Sequence, residues 1–181
     1  MHGLPHQPDR PLRRDSAMEM TADGWTGTRV SVKPEWIDAN RHMNVSAYDL
    51  VFDIAEKDFF AAFGVGDDYI NRTEFSCFRL ERLIRYEREL LLDDPLEVRS
   101  RVAWTDYRKI HHFHELWNVR DGYRAAFADV VSVHVDLSLR KAATVELAEV
   151  RQPLEKFATE HAGLASPAGL LSRENGRRIG G

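Results

Sequence analysis

Hydrophobic positions recur every three or four residues between Val45 and Phe63, which predicts a long helix. The main positions of this stripe are Tyr48, Val51, Phe52, Ala55, Phe59 and Phe63. Further apolar residues widen the stripe beyond what a surface helix requires, so we expect other elements to surround the helix. Asn44 is placed to cap the first turn, and Gly64 stands where a C-terminal glycine is common.

Alternating hydrophobic and polar positions predict a strand before this helix and four strands after it. The predicted strands cover residues 28–32, 78–86, 96–104, 111–119 and 123–137. In the second of them, Phe78, Leu80, Ile84 and Tyr86 share one parity, and the alternation assigns them to the buried face. This order of elements predicts an α+β domain in which an antiparallel sheet of about five strands covers one helix.

Both ends of the chain lack this periodicity. Residues 1–24 and 163–181 are rich in Pro, Gly, Ser and Arg, so we expect two disordered tails around a folded domain over residues 25–162. A short helix is expected after Pro153, over residues 154–162.

Composition narrows the class of function. The 181 residues carry a net charge of −4, which gives no electrostatic reason to expect nucleic acid or an anionic membrane as partner. No apolar run approaches the roughly 18–20 residues of a transmembrane helix. The single cysteine, Cys77, is compatible with a reducing compartment, so a cytoplasmic location is expected.

A polar turn directly precedes the long helix and holds the candidate chemistry. Asp38, His42 and Asn44 lie close to the helix N-terminus, where amide groups are unpaired and the dipole is positive. A carboxylate could stay ionised there, and a developing oxyanion could be held.

The sequence Asp38-Ala39-Asn40-Arg41-His42-Met43-Asn44 resembles the D-x-x-x-H-x-N turn of hotdog-fold acyl-CoA thioesterases of the 4-hydroxybenzoyl-CoA thioesterase-like group. The element order over residues 30–137 is similar to that fold as well. The resemblance implies thioester hydrolysis with Asp38 as nucleophile or general base, helix amides as the oxyanion hole, and Asn44 and His42 orienting the turn or the thioester. It further implies no metal and no cofactor.

Substrate contacts follow from the same resemblance. Trp36, Arg41, Met43 and Tyr48 are the expected substrate-binding residues. Many relatives have Gly in place of Arg41 and an acidic residue in place of Trp36, so these two positions are expected to affect acyl specificity. Arg41 could reach a phosphate of CoA.

Two groups of side chains suggest a more specific site. The rings of Trp36, Trp104, Tyr107 and Trp117 could form a cage for a quaternary ammonium, as hotdog relatives that act on betainyl-CoA would need. His112, His114 and His134 invite a metal interpretation, which the absence of a fitting carboxylate or Cys set disfavours. Arg79, Arg82, Arg85 and Arg88 are interpreted as a solvated strand face.

Other functions and assemblies stay open at this point. A hotdog hydratase or dehydratase typically shows a D-x-N-P-x-H turn, whereas Arg41 stands at the proline position here and His42 comes four residues after Asp38. A non-catalytic acyl-CoA-binding module is the third hypothesis. We expect a homodimer, with a dimer of dimers compatible, because the strand order leaves a sheet edge that a second copy can extend.

Overall fold

A computed structural model describes residues 19–21, 23–171, 173–174 and 177–178. The strands are β1 (Glu19–Thr21), β2 (Gly24–Ser31), β3 (Phe75–Tyr86), β4 (Pro95–Thr105), β5 (Lys109–Asn118), β6 (Tyr123–Asp136), β7 (Lys141–Ala142), β8 (Arg173–Glu174) and β9 (Arg177–Arg178). The helices are α1 (Val45–Ala62), α2 (Asp67–Thr73) and α3 (Ala148–Ala162), with a short 3-10 turn at Pro34–Trp36.

An antiparallel sheet covers the long helix, as the alternation predicts. Its strand order is β1-β2-β4-β5-β6-β3, and β7 extends it by pairing with β6. Helix α1 lies on the inner face, where Val51, Ala55 and Phe59 are fully buried. The predicted α+β hotdog architecture is therefore confirmed, and α1 is the element that positions the turn before it.

The face assignment predicted for β3 holds after its bulge and fails before it. Ile84 packs against the core and Tyr86 contacts Tyr48, whereas Phe78 and Leu80 are 45% and 58% exposed, because the register of this edge strand shifts between Arg79 and Glu81. A bulge changes which face the following residues occupy.

Two arginines of β3, Arg79 and Arg82, face the helix, whereas Arg85 is exposed as predicted. Arg79 pairs with Asp53 and Glu56 of α1, and Arg82 pairs with Asp49. These carboxylates recur at helical spacing, so a row of ion pairs joins α1 to the edge strand. A sequence pattern of period two cannot reveal this row, because both sets of charges look like solvent-facing residues.

The C-terminal part of the chain carries more regular structure than its periodicity predicts. Helix α3 begins six positions before the residues assigned to it, and Pro153 lies inside it. Residues from the predicted C-terminal tail lie along the sheet: the carbonyl of Ala165 accepts from Arg101 (2.8 Å), and the amide of Leu171 donates to Asp129 (2.9 Å). Most of the predicted N-terminal tail, residues 1–18 and 22, lies outside the described residues.

Candidate active site

The polar turn is a closed loop held by backbone hydrogen bonds. The amide of Asp38 donates to the carbonyl of His42 (3.1 Å), and the amide of Arg41 donates to the carbonyl of Asp38 (3.0 Å). Ile37 and Met43 form an isolated antiparallel bridge at the base of the loop. The side chains of the turn therefore have a fixed direction relative to the start of α1.

The Asp38 carboxylate is anchored through one oxygen. Its Oδ1 accepts from the amide of Asn40 at 2.8 Å, which is an Asx turn. No hydrogen bond reaches Oδ2 from the part of the chain that the structure describes. The side chain is 23% exposed, and Oδ1 lies 4.0 Å from Nδ1 of His42. One oxygen thus orients the carboxylate while the other is available for chemistry.

Arg41 occupies the apex of the turn in an unusual backbone conformation. Its φ of +68° lies in the left-handed region, which costs a side-chain-bearing residue about 1–2 kcal/mol relative to ordinary conformations. This explains why glycine suits the position. The side chain is exposed, and no carboxylate pairs with it within the described ranges. Arg41 therefore presents an exposed cation from the same turn that carries Asp38.

Asn44 acts as the N-cap of α1, as predicted. Its Oδ1 accepts from the amide (2.9 Å) and the hydroxyl (2.7 Å) of Ser46, and its carbonyl accepts from the amide of Ala47 (2.9 Å). The amide of Val45 is different, because it has no acceptor among the described residues. Since Val45 is 59% exposed, its N–H can reach a ligand at the positive end of the helix dipole.

Three of the predicted substrate-binding residues are buried, and two of them line a cleft. Trp36 is buried, and its carbonyl accepts from the amide of Asn44 (2.8 Å). Met43 and Tyr48 are also buried, yet both line an open cleft of about 240 Å³ beside the turn. The remaining residues that line this cleft are His42, Val45, Tyr86, Glu87, Arg88 and Glu89.

The four rings proposed as an ammonium cage are not assembled into one. Trp36 lies under Lys33, Tyr107 lies under Arg151 at the β4–β5 turn, and Trp117 lies under Arg99 on the sheet. A basic side chain of the protein itself thus covers one face of each of these three rings. Among the described residues none of the four predicted rings contacts another, so the cage is not formed within one chain.

The inner face of the sheet also holds a buried histidine pair. Nδ1 of His112 lies 3.0 Å from Nε2 of His114, and His112 Nε2 lies 3.1 Å from Ser132 Oγ. His114 Nδ1 lies 2.7 Å from Ser100 Oγ, and Ser132 Oγ donates to Glu56 Oε1 at 3.3 Å. All ring nitrogens of the pair are therefore hydrogen-bonded within the core.

The hydrogen-bonded cluster around His112 and His114 is not arranged as a metal centre. The described residues contain no group of three or more His, Cys, Asp or Glu side chains arranged to hold a metal ion. His134, the third member of the metal hypothesis, is hydrogen-bonded to Tyr69 at 3.0 Å instead. Burial lowers the pKa of His112 and of His114 to about 3, so both rings are neutral at pH 7.

Sequence reasoning did not identify the residues on the far side of the cleft. The segment that carries Tyr86 and Glu89 reaches the turn through a hydrogen bond from the Met43 amide to the Leu90 carbonyl (2.8 Å). More than forty positions separate the two segments in sequence. No local motif marks this contact, and only the pairing of β3 in the sheet establishes it.

Comparisons with known proteins agree with this architecture. A family model described as the thioesterase-like superfamily matches residues 32–154. A betainyl-CoA thioesterase of Pseudomonas aeruginosa is 30% identical over 149 residues, which span 82% of this chain and 90% of that protein. An L-carnitine dehydrogenase/betainyl-CoA thioesterase of Rhizobium meliloti is 28% identical over 82% of this chain, a match confined to 29% of its own length.

Solved structures show the same fold at lower identity. A Staphylococcus aureus protein solved in complex with CoA superposes with a TM-score of 0.73 at 22% identity, covering 78% of this chain and 88% of that one. The probable thioesterase YbaW of Escherichia coli gives a TM-score of 0.59 at 21% identity, over 72% and 97% of the two chains. None of the described helices is long and apolar enough to cross a membrane. The chain therefore belongs to the thioesterase-like superfamily, as a thioester hydrolase with the hotdog fold.

Proposed function

We propose that this protein hydrolyses an acyl-CoA thioester at the turn that precedes α1, with Asp38 as the reacting carboxylate. The observation that carries this proposal is the pairing of two unsatisfied groups at one place. The Oδ2 atom of Asp38 and the amide of Val45 both lack partners among the described residues, whereas Oδ1 of Asp38 and the amide of Ser46 are hydrogen-bonded.

These two groups meet the two needs of thioester hydrolysis. When oxygen attacks the carbonyl carbon, the carbonyl oxygen gains negative charge, and the Val45 N–H at the helix terminus stabilises it. If Asp38 acts as general base, it takes a proton from the attacking water. The intermediate then collapses, the carbon–sulfur bond breaks with its electron pair on sulfur, and the thiolate of CoA accepts a proton.

Asp38 can equally act as the nucleophile. Its Oδ2 would then attack the thioester, release CoA and form a mixed anhydride that water hydrolyses. The two roles differ in the fate of labelled oxygen. In single-turnover reactions in ¹⁸O-water, hydrolysis of the anhydride at its Asp38 carbonyl leaves label in the Asp38 carboxylate. The general-base route leaves Asp38 unlabelled.

Asn44 and His42 are assigned positioning roles. Asn44 holds the first turn of α1 through Ser46, and this keeps the Val45 amide pointed out of the helix. His42 lies between the Asp38 carboxylate and the cleft, at 4.0 Å from Oδ1, and it lines the cleft wall. We propose that Trp36 fixes the turn from below through its carbonyl bond to the Asn44 amide.

The proposed substrate is a short cationic acyl-CoA of the betainyl type. The relatives with that activity support the acyl group, and the CoA-bound Staphylococcus aureus structure supports the carrier. Arg41 is the proposed contact for a CoA phosphate, because its unpaired guanidinium is exposed on the turn that carries the reacting carboxylate.

We also propose that the protein is a homodimer joined through β3, with a dimer of dimers as a further assembly. β3 is a twelve-residue edge strand, and among the described strands it pairs with β6 alone. Phe78 and Leu80 are exposed on this strand. A long edge with exposed apolar side chains favours pairing with a second copy.

The test of the catalytic proposal is CoA release from betainyl-CoA by the wild type and by Asp38→Asn. We expect kcat to fall by about 10²- to 10⁴-fold, the range typical of a lost acid–base group. Asp67→Asn is the matched control, since Asp67 is 80% exposed at the start of α2 and loses the same charge. Turnover by Asp38→Asn at the rate of this control would refute the proposal.

A further inference from the structure

Two tyrosine rings form an aromatic wall of the cleft beside the turn. The rings of Tyr48 and Tyr86 meet edge to face, with centroids 5.2 Å apart and planes at 86°. Tyr48 is buried, and its hydroxyl donates to the carbonyl of Arg88 at 3.4 Å. Tyr86 closes the other side from the end of β3 and is half exposed. Within the described ranges no cation covers either ring, unlike the rings of Trp36, Tyr107 and Trp117.

The charges around these rings leave one carboxylate uncompensated. Glu87 is held by both Nε (2.8 Å) and Nη2 (2.7 Å) of Arg124, so its charge is neutralised. Arg88 lines both this cleft and the neighbouring depression, and its guanidinium lies over the ring of Tyr123 at 3.8 Å. Glu89 has no ion-pair partner in the part of the chain that the structure describes. It is exposed and helps to line the same two depressions.

The environment of Tyr48 agrees with this arrangement. Burial is the main cause that raises the pKa of Tyr48 to about 12, and nearby Tyr123 and Glu89 add smaller electrostatic contributions. The Tyr48 ring is therefore neutral at pH 7 and lies within electrostatic range of Glu89, so the wall offers a cation both aromatic faces and a carboxylate.

We propose that this cleft selects the quaternary ammonium head of the acyl group, with Tyr48 and Tyr86 as its aromatic faces and Glu89 as its counter-charge. The inference rests on the proposed function, because it assigns a specificity site to the same reaction. The geometry suits a short acyl group, since a betainyl nitrogen is two bonds from the thioester carbonyl carbon. His42 lines the cleft and also lies 4.0 Å from Asp38, so the head and the reacting carbon fit side by side.

Two ligands of the same shape separate the effect of charge on binding from the effect of shape. Betainyl-CoA carries a trimethylammonium group, and 3,3-dimethylbutyryl-CoA carries the neutral carbon analogue of equal size. Binding of both is measured by calorimetry on the full chain with Asp38→Asn, which removes the attraction of Asp38 for a cation. We expect betainyl-CoA to bind several-fold more tightly than its neutral analogue.

Variants of the cleft then test the assigned residues. In the Asp38→Asn background, Glu89→Gln is expected to reduce the preference for betainyl-CoA about 3- to 5-fold. Tyr86→Leu should reduce it about 2- to 10-fold, and Tyr86→Phe should retain it because the ring is kept. Glu155→Gln, an exposed carboxylate on α3, removes the same charge away from the cleft and should leave the preference unchanged.

The outcomes distinguish this inference from the proposed function. Equal affinity for the two ligands, or a preference that survives both Glu89→Gln and Tyr86→Leu, overturns the ammonium site. CoA release by the wild type from either ester is a separate measurement, and its absence refutes the thioesterase proposal whatever the affinities are. A preference lost in Glu89→Gln and in Tyr86→Leu but kept in Glu155→Gln confirms the site.

Discussion

The buried histidine pair should make the stability of the fold depend steeply on pH below neutrality. Glu56 can only accept hydrogen bonds as a carboxylate, so Ser132 donates to it and accepts from His112. His112 must then accept from His114, which accepts from Ser100. This order uses one proton per ring, and a proton added to Nδ1 of His112 would set two N–H groups against each other.

The size of this loss of stability follows from the lowered pKa values of the two rings. Both rings are fully buried, and burial holds the pKa of each at about 3 in the folded protein, against about 6.5 in the unfolded chain. Between these two pKa values the unfolded state binds more protons than the folded state. The stability that the neutral rings contribute is therefore fully present above pH 6.5 and is lost as the pH falls toward 3. Lowering the pH from 7 to 5 therefore reduces the free energy of unfolding by about 2 kcal/mol for each ring, or about 4 kcal/mol for the pair.

The assay is urea unfolding followed by tryptophan fluorescence at pH 7, 6 and 5. The variant His114→Gln keeps a hydrogen-bonding side chain but removes one titrating ring, so its loss of stability between pH 7 and pH 5 should be smaller by about 2 kcal/mol. Comparing the two pH dependences cancels the contribution of other groups, such as His161, whose pKa burial lowers to about 4.

His42→Gln is the control for this experiment, because it makes the same substitution at a histidine whose side chain is about one-third exposed and lies outside the buried pair. The reasoning is refuted if the wild type and His114→Gln lose the same free energy of unfolding between pH 7 and pH 5. It is also refuted if His42→Gln shows the larger change.

Three other substitutions probe the turn, the helix start and the sheet edge. Asn44→Ala removes the N-cap and should lower the free energy of unfolding by about 1 kcal/mol in urea titrations, with a fall in kcat because the Val45 amide is less well fixed. Arg41→Gly removes the proposed phosphate contact, so KM for betainyl-CoA should rise, and an unchanged KM would contradict that contact. Because glycine adopts the left-handed backbone without strain, thermal stability should not fall. Leu80→Glu places a charge on the exposed edge of β3 and should shift the protein to monomer in light scattering, whereas a charge at exposed Leu139 should not.

Local periodicity by itself determined most of the architecture. The stripe of apolar residues predicts α1 to within one residue, and the alternation predicts the four long strands that follow it. The turn with Asp38, His42 and Asn44 is likewise visible in sequence, since its residues are neighbours and Asn44 caps the helix that begins next to it. Such features depend on contacts within a few residues, which is why one sequence suffices to predict them.

Only the tertiary structure decided which face of β3 is buried and what lies opposite the turn. The bulge at Arg79 and the ion pairs to α1 reverse the expected exposure of Phe78 and Leu80, because an edge strand next to a charged helix face does not follow simple alternation. The cleft wall with Glu89 reaches the turn through sheet register and the Met43–Leu90 hydrogen bond. Contacts of this kind join distant segments, and their energy depends on the whole fold.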